Sequence, residues 1–267
     1  MFNAMKQGPK QFSYFLVKVF RVLTTKRNES WFLTYQNLIT RFTFFVHNSI
    51  VNFIFDKPEP IYKFNISQEL LTKLNDWVLN ANEVNDLWSK ESYGLILDQK
   101  ISSEKIKKFK KEKICFDTST LSKGLLKQLH NEIRHKIKES VGSPFIFTNT
   151  KIWSLTPINN KKTPGLATET HQDGFMNGHM KIMIYTKPMN EAYGSIEIDS
   201  HIYKDESPGG AILFQNSKIL HRGIRGVSQD RISIEITLFR SIIDKEQIHP
   251  GHPKGRHYRS ILKSYMS

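Results

Sequence analysis

The chain has 267 residues, of which 39% are hydrophobic, 12% aromatic and 24% charged. A chain of this length and composition can bury a core, which excludes a disordered protein, and it needs no more than one catalytic domain. The formal net charge is +14, and the single cysteine, Cys115, excludes an intramolecular disulfide and a thiolate zinc site. We therefore expect a reducing, cytoplasmic location.

Residues 1–60 form an amphipathic, aromatic-rich segment that we predict to be helical. Apolar residues recur in it at helical spacing, namely Phe12, Phe15, Val19 and Leu23, and then Trp31, Tyr35, Leu38, Phe42 and Phe45. Polar residues interrupt the second stretch, so it is a poor bilayer span. Two interpretations stay open: the helices pack on the rest of the chain, or residues 10–55 make peripheral contact with the inner face of a membrane.

Residues 61–142 are predicted to form a helical scaffold that begins after Pro58 and Pro60. The pattern of apolar residues in this interval predicts helices from Gln68 to Leu79 and from Leu121 to Ile137. We expect this part of the chain to support the chemistry rather than to supply it.

The segment 100–138 is rich in lysine. Such a run is either a solvated face or a surface for anionic partners, such as phosphorylated substrates, acidic lipid head groups or nucleic acid. Nucleic acid is the least favoured of these, because the run lacks interleaved aromatic residues beyond Phe109 and Phe116. Charge alone does not choose among the others.

The pattern changes near residue 145 to short β-branched or alternating runs separated by proline, glycine and asparagine. The predicted strands are Phe145 to Thr156, Met180 to Thr186, Ser195 to Asp199, Ala211 to Phe214 and Arg231 to Phe239. Several short strands at such intervals are typical of a sandwich, barrel or jelly roll. We therefore expect a β core at 143–245, followed by a basic C-terminal tail at 246–267.

The strongest candidate chemistry lies in this β core. His171 and Asp173 are two residues apart, so in an extended chain they point to the same face and can reach one ion. The pair alone is weak evidence, but His221 follows the apolar strand and supplies a third ligand. Two histidines and one carboxylate form the facial triad of non-haem iron(II) oxygenases, which leaves coordination positions for a 2-oxo acid and dioxygen.

Arg231 and Ser233 predict the site of the co-substrate. Polarity alternates from Arg231 to Leu238, so Arg231 and Ser233 share one strand face. Glycines in the preceding segment are typical of a hairpin connection, which we expect to bring Arg231 beside His221. A guanidinium recognises a carboxylate through two hydrogen bonds and a neighbouring hydroxyl adds a third donor, which suits the far carboxylate of 2-oxoglutarate.

These residues resemble the iron(II)- and 2-oxoglutarate-dependent dioxygenase superfamily, and most closely its phytanoyl-CoA dioxygenase-like branch. The likeness rests on His171-Gln172-Asp173, on the stretch from Asn190 to Ile198 with Ser200-His201 after it, on the stretch from Pro208 to Phe214, and on Leu220-His221-Arg222-Gly223. It departs from the branch at Asp199, where the branch usually has the glycine of a Gly-Ser-His turn. It implies an α+β protein with a double-stranded β-helix (jelly-roll) core and N-terminal and flanking helices, so that 61–267 is the dioxygenase domain. It also implies Fe(II), with 2-oxoglutarate and O2 as co-substrates.

The resemblance implies hydroxylation of an unactivated C–H bond, with 2-oxoglutarate converted to succinate and CO2. Further candidate site residues are Thr168, which could bind the co-substrate, and Lys181, Tyr185 and Arg225, which could line the substrate pocket. The basic and aromatic segments favour an anionic substrate that is lipid-linked or carries a saccharide. An oxygenase of a soluble metabolite and a non-catalytic jelly-roll binding protein stay open as alternatives.

Overall fold

The computed structural model describes residues 45–82, 113–116, 118–157, 170–173 and 179–242. The predicted helices between 12 and 44, the candidate Thr168 and the tail at 246–267 lie outside the described residues. The chain divides into two compact units, residues 1–47 and 48–267. The description below concerns the second unit and the three described residues of the first, 45–47.

Three helices have described residues: α1 at 45–54, α2 at Gln68–Asn80 and α3 at Lys123–Val141. The hydroxyl of Ser122 caps the start of α3 by accepting a hydrogen bond from the Leu125 amide at 3.1 Å, and Gly142 ends this helix at a φ of +64°. The two predicted helices of the scaffold are confirmed. None of the helices within the described ranges is long and apolar enough to cross a membrane.

Within the described residues, nine strands form two antiparallel sheets. They are β1 (Ile61–Asn65), β2 (Lys113–Cys115), β3 (Phe145–Leu155), β4 (His179–Tyr185), β5 (Gly194–Ile198), β6 (His201–Tyr203), β7 (Gly210–Phe214), β8 (His221–Arg225) and β9 (Arg231–Arg240). The larger sheet has the order β1-β7-β4-β9-β3-β2, and the smaller has the order β6-β5-β8. An isolated bridge between His171 and His221 lies beside β8.

The chain alternates between these sheets. After β4 in the larger sheet come β5 and β6 in the smaller one, then β7 in the larger, β8 in the smaller and β9 in the larger. This interleaving of two antiparallel sheets is the jelly roll, or double-stranded β-helix, that the sequence resemblance implies. The predicted fold class is confirmed.

The two faces of the larger sheet bury different sets of apolar side chains. On the outer face, Ile182, Ile236 and Leu238 form one core cluster with Leu74 of α2 and Leu129 of α3. On the inner face, a second cluster joins both sheets and includes Trp153, Tyr185, Phe214, Ile196 and Ile198. Each fully buried side chain of this size contributes roughly 1.5–3 kcal/mol to folding. The inner face is the interior of the barrel, and the candidate site lies there.

Four of the described strands were not predicted from the sequence, namely β1, β2, the three-residue β6 and β8. The interval 61–142, expected to be a helical scaffold, also supplies β1 and β2, which pair with β7 and β3 at the two edges of the larger sheet. Both are short, and β2 lies within the lysine-rich segment 100–138, so neither has a clear alternating pattern. Strand β8 (HRGIR) is polar and contains a glycine, so its sequence does not show the apolar or alternating pattern of a strand.

The expected hairpin between β8 and β9 is wrong. Strand β8 pairs with β5 in the smaller sheet, whereas β9 lies between β4 and β3 in the larger one. Because both edges of β9 are already paired, β8 has no free edge to join. The connection at 226–230 therefore crosses from one sheet to the other instead of turning back on itself.

Candidate metal centre

The structure brings His171, Asp173 and His221 together. The backbones of His171 and His221 exchange two hydrogen bonds, of 3.0 and 2.9 Å, and the amide of Asp173 donates to the Asn216 carbonyl oxygen at 3.0 Å. One ligand atom from each of the three side chains lies within 4.8 Å of the other two. The grouping predicted from the sequence is therefore present, and its spacing is fixed by backbone hydrogen bonds.

The ring of His221 is oriented for ligation. Its Nδ1 lies 3.1 Å from the backbone oxygen of Ile219, which favours the tautomer with the proton on Nδ1. Nε2 is buried and has no hydrogen-bond partner among the described residues. Burial, together with the charge of Lys181, lowers the pKa of His221 to about 4. At neutral pH the ring is uncharged, and the lone pair of Nε2 faces the interior of the barrel.

Asp173 provides the carboxylate. Its Oδ1 lies 3.6 Å from His171 Nε2, and its Oδ2 lies 3.7 Å from His221 Nε2. Oδ2 also accepts a hydrogen bond from Asn216 Nδ2 at 2.8 Å and forms an ion pair with the Lys181 ammonium. Burial alone would raise the pKa of Asp173, but Lys181 and His221 hold it well below its usual range. The carboxylate is therefore ionised at neutral pH.

These donors fit a divalent transition metal. Two imidazole nitrogens and one carboxylate oxygen are the ligand set of the iron(II) facial triad. Ligand atoms about 2.1 Å from an ion lie roughly 3–3.6 Å apart when they subtend 90–120° at it. The separations of 3.6 and 3.7 Å between the carboxylate and the two rings are close to that range. Because a different oxygen of Asp173 lies near each ring, the carboxylate would turn for one oxygen to meet an ion that both rings bind.

A second group of polar atoms surrounds Arg231, which is 1% exposed. Nη1 donates to the backbone oxygens of Ile224, at 2.8 Å, and of Ser195. The rings of Trp153 and Tyr185 lie 5.5 and 5.6 Å from its guanidinium carbon. The guanidinium is thus held on one side by the smaller sheet and on the other by aromatic rings.

The remaining donors of this group have no partner among the described residues. They are Nε and Nη2 of Arg231, the Oγ of Ser233 and the Oη of Tyr185, and all are buried. Burial raises the pKa of Tyr185 to about 12, so its hydroxyl keeps the proton at neutral pH. A buried donor that lacks an acceptor costs about 1–3 kcal/mol of folding free energy. A bound carboxylate would supply acceptors for the guanidinium and the two hydroxyls, so this group of donors fits a carboxylate.

The other predicted pocket residues have different environments. Tyr185 belongs to the Arg231 group, and Lys181 contacts the carboxylate of Asp173. Arg225 donates to Thr156 at 2.8 and 3.0 Å and to the Pro157 oxygen at 3.0 Å, so it fixes the end of β3. Its contact with a substrate stays a prediction.

Sequence reasoning missed Asn216, which contacts Asp173 through its backbone and its side chain. In the sequence it is an asparagine in the turn after an apolar strand, the ordinary place for that residue type. No local signal distinguishes it from other turn residues.

No family model and no curated protein matches this chain. Among solved structures, the viral collagen prolyl hydroxylase vCPH from Paramecium bursaria Chlorella virus-1, in its 2OG complex, is 13% identical and covers 69% of this chain and 97% of its own, with a TM-score of 0.42. HygX from Streptomyces hygroscopicus, with nickel, 2-oxoglutarate and hygromycin B bound, is 9% identical and covers 72% of this chain and 88% of its own, with a TM-score of 0.43.

A third similar structure is a prolyl hydroxylase from Trichoplax adhaerens in complex with a peptide fragment of the hypoxia inducible factor oxygen degradation domain. It is 12% identical and covers 81% of this chain and 94% of its own, with a TM-score of 0.43. All three are distant from this chain in sequence and in structure. The function proposed below therefore rests on the residues of this chain.

Proposed function

We propose that this chain is an Fe(II)- and 2-oxoglutarate-dependent dioxygenase that hydroxylates an unactivated C–H bond and converts 2-oxoglutarate to succinate and CO2. The observation that carries this proposal is the combination of two incomplete polar groups in one barrel. Nε2 of His221, beside Asp173, has no hydrogen-bond partner among the described residues. The buried donors around Arg231 that were described above have no partner there either. A metal ion and the carboxylate of a 2-oxo acid would satisfy both groups.

His171, Asp173 and His221 would hold the Fe(II), and Arg231 with Ser233 would bind the far carboxylate of 2-oxoglutarate. When bound, the iron and 2-oxoglutarate together supply the oxidising power for attack on a C–H bond. The chain supplies a neutral His221 ring, an ionised Asp173 and a fixed guanidinium. Tyr185 adds a hydroxyl to the same carboxylate site, and the apolar walls of the barrel exclude water. Thr168, outside the described residues, stays a predicted contact for the co-substrate.

Membership of the phytanoyl-CoA dioxygenase-like branch is the finer form of the proposal. Its support is the sequence likeness in four stretches, one of which includes Ser200-His201. In the structure, Asp199 and Ser200 form the turn between β5 and β6, with φ values of 51° and 66°. Two successive residues with positive φ are typical of a tight hairpin turn.

We further propose an anionic substrate that is lipid-linked or carries a saccharide, acted on at the inner face of a membrane by a cytoplasmic protein. Helix α1 supports this, because Ile50, Phe53 and Ile54 lie on one helical face and are exposed, Phe53 by 88%. Lys57 follows this face and is also exposed. Asp56 and Glu59 are exposed beside this lysine, so the apolar face supports contact with a membrane, and the preference for an anionic lipid surface rests on the net charge of +14. Hydroxylation of a soluble metabolite is the alternative.

The central test is anaerobic titration of the full chain with Fe(II) and 2-oxoglutarate, followed by the metal-to-ligand charge-transfer band. We expect the band in the wild type, its loss in His171→Ala and His221→Ala, and a need for much more 2-oxoglutarate in Arg231→Met. Arg222→Met is the matched control, since Arg222 pairs with Glu197 and is part-exposed. Absence of the band in the wild type, or an undiminished band in His171→Ala, would contradict the proposal.

Release of succinate in air separates the enzyme from a non-catalytic binding protein. An oxygenase that binds both ligands also converts 2-oxoglutarate slowly without its prime substrate, whereas a binding protein gives the band and no succinate.

Flotation with vesicles tests the membrane contact. We expect the chain to bind phosphatidylglycerol vesicles more than phosphatidylcholine vesicles, and Phe53→Ser to weaken that binding several-fold. Leu79→Ser is the matched control, because Leu79 is 83% exposed on α2, outside helix α1. If the wild type ignores both kinds of vesicle, the soluble metabolite becomes the better substrate class.

A further inference from the structure

The two carboxylate oxygens of Asp173 have different surroundings. Oδ2 accepts a hydrogen bond from Asn216 Nδ2 at 2.8 Å and also contacts the ammonium of Lys181. Oδ1 faces His171, whose Nε2 lies 3.6 Å away. Both oxygens thus lie near a predicted metal ligand, since Oδ2 is 3.7 Å from Nε2 of His221. They differ in their donors: among the described residues, Asn216 and Lys181 both contact Oδ2 and neither contacts Oδ1.

Asn216 holds Asp173 at two points. Its backbone oxygen accepts the amide hydrogen of Asp173 at 3.0 Å, while its side chain donates to the carboxylate. Asn216 is 0% exposed, so this contact is shielded from water. The same turn carries Ile219, whose backbone oxygen orients the ring of His221. One short turn between β7 and β8 thus orients two of the three candidate ligands.

Lys181 is the second donor to Oδ2, and Glu235 balances its charge. The side chains of Lys181, Asp173 and Glu235 are all nearly buried inside the barrel. Lys181 Nζ lies 3.8 Å from Glu235 Oε2, so the lysine and Glu235 together add no net charge. Without Glu235, a buried ammonium beside a metal ligand would repel a divalent ion at close range.

The division between the oxygens has a consequence for coordination. A facial triad leaves three positions for the co-substrate and dioxygen only when its carboxylate binds through one oxygen. A carboxylate that binds through both oxygens would occupy one of those positions. Hydrogen bonds to the second oxygen of a metal-binding carboxylate oppose that rotation.

We propose that Asn216 and the Lys181–Glu235 pair are positioning residues, which hold Oδ2 of Asp173 and thereby restrict the carboxylate to one-oxygen coordination through Oδ1. This rests on the part of the proposed function that places a divalent metal ion at His171, Asp173 and His221. It adds three residues that act on the metal through Asp173 and do not touch it.

The first test uses Mn(II), which needs neither 2-oxoglutarate nor turnover. Asn216→Ala removes the hydrogen bond to Oδ2 without changing the charge, and we expect its Mn(II) affinity to fall about 10–100-fold. Calorimetric titration measures the affinity. Broadening of the Mn(II) spectrum by 17O-labelled water counts the water ligands, and we expect fewer in the variant than in the wild type.

The second test removes the Lys181–Glu235 pair as a unit. Lys181→Met alone deletes a donor to Oδ2 and also a positive charge, and these two changes act on metal affinity in opposite directions. The double variant Lys181→Met with Glu235→Gln leaves the net charge unchanged, so it isolates the lost contact. We expect it to weaken Mn(II) binding and to lower the water count in the same direction as Asn216→Ala.

Thr150→Val is the matched control. Thr150 is buried and bonded to His130 at 3.0 Å, outside the metal centre, so its loss should leave Mn(II) affinity unchanged. If Asn216→Ala fails to fold, as judged by circular dichroism, Asn216→Ser and the double variant carry the test.

The outcomes separate the two proposals. A wild type that binds no divalent ion overturns the proposed function. A wild type that binds Mn(II), with Asn216→Ala and the double variant matching it in affinity and in water count, overturns the positioning role alone. Weaker binding with fewer water ligands in both variants supports it.

Discussion

Arg231 reaches from the larger sheet to the smaller one, where its Nη1 donates a hydrogen bond to the backbone oxygen of Ile224 at 2.8 Å. Ser195, on the neighbouring strand of that sheet, accepts a second bond from the same nitrogen. These two carbonyl oxygens fix the plane of the guanidinium, and Nε and Nη2 stay without a partner among the described residues. The backbone oxygens of the smaller sheet thus orient the guanidinium of Arg231, which lies on the larger sheet, so that its remaining donors can bind an anion.

Variants of Arg231 and Ser233 should weaken 2-oxoglutarate binding to different degrees. Arg231→Lys keeps the positive charge but loses the planar guanidinium, which can form two parallel hydrogen bonds to a carboxylate. We expect the dissociation constant for 2-oxoglutarate to rise about 10–100-fold. Ser233→Ala removes one hydrogen bond from an uncharged hydroxyl to the carboxylate, worth about 1.5 kcal/mol, and should raise the constant about 10-fold, the lower end of the range for Arg231→Lys. Anaerobic titration at saturating Fe(II) measures both constants.

Ser154→Ala is the control for these variants, because Ser154 is buried on the opposite face of the larger sheet and should have no effect. Equal losses in Arg231→Lys and Ser154→Ala would show that the effect is not specific to the co-substrate site.

Gly226 allows two loops to touch beside the acceptors of Arg231. A Cβ at residue 226 would lie 2.1 Å from the Ala192 backbone oxygen, so Gly226→Ala must push the loops apart. We expect this variant to lose stability and to bind 2-oxoglutarate more weakly, because Ile224 and Ser195 move with these loops. Urea unfolding and the same anaerobic titration measure the two effects.

Gly124→Ala is the matched control for Gly226→Ala, since a Cβ at residue 124 would meet no atom within 4 Å. It lies in helix α3 and should stabilise the protein by about 0.5–1 kcal/mol. If Gly226→Ala had the stability and the co-substrate affinity of the wild type, the close contact between the two loops would not be needed for either property.

The parts of the site that could be predicted from the sequence depend on short-range periodicity. His171 and Asp173 share a face because they are two residues apart, and Arg231 and Ser233 do so for the same reason. The predicted strands around them are also confirmed, because their apolar residues are nearly continuous or alternate clearly. A local pattern is sufficient wherever the relevant residues are neighbours in the chain.

The parts that could not be predicted depend on pairing between distant segments. The pairing of β8 with β5 and the contact of Lys181 with Asp173 are set by which strands fill which edges. Asn216 lies 43 residues from Asp173, and its role arises only when the two segments meet. A hairpin was the simpler expectation for the segment before Arg231. It does not form, because in the jelly roll β8 and β9 belong to different sheets.

Arg240 should contribute to stability and not to the metal centre. It is 2% exposed and donates to the Oγ of Ser143 at 2.9 Å, to the Asn52 side chain at 2.6 Å and to the Asp56 backbone oxygen. Arg240→Met leaves these acceptors without a donor, and we expect the free energy of unfolding to fall by about 2–4 kcal/mol. Urea unfolding measures this loss.

Arg222→Met provides the comparison for Arg240→Met, because its ion pair with Glu197 is part-exposed and worth about 1 kcal/mol or less. We expect Mn(II) affinity to be unchanged in both variants. A small loss of stability in Arg240→Met, equal to that of Arg222→Met, would show that the buried hydrogen bonds of Arg240 do not stabilise the fold.

His130 should make folding pH-dependent. It is buried, its Nε2 lies 3.0 Å from Thr150 Oγ1, and its ring stacks on Phe147 with centroids 4.4 Å apart. Burial, with a smaller contribution from the charge of Arg134, lowers the pKa of His130 from 6.5 to about 4. The unfolded chain therefore takes up a proton near pH 6.5, whereas the folded chain does so only near pH 4.

The sign of the effect follows from this difference. Above pH 6.5 the ring is neutral in both states and its contribution to stability is constant. As the pH falls from 6.5 to 4, protonation favours the unfolded chain, and His130 alone should lower the free energy of unfolding by about 3 kcal/mol. His130→Gln keeps a partner for Thr150 and does not titrate, so its stability should fall less over the same range. Urea unfolding at several pH values, with a chelator present throughout, measures both proteins, and parallel curves would mean that His130 is not the titrating group.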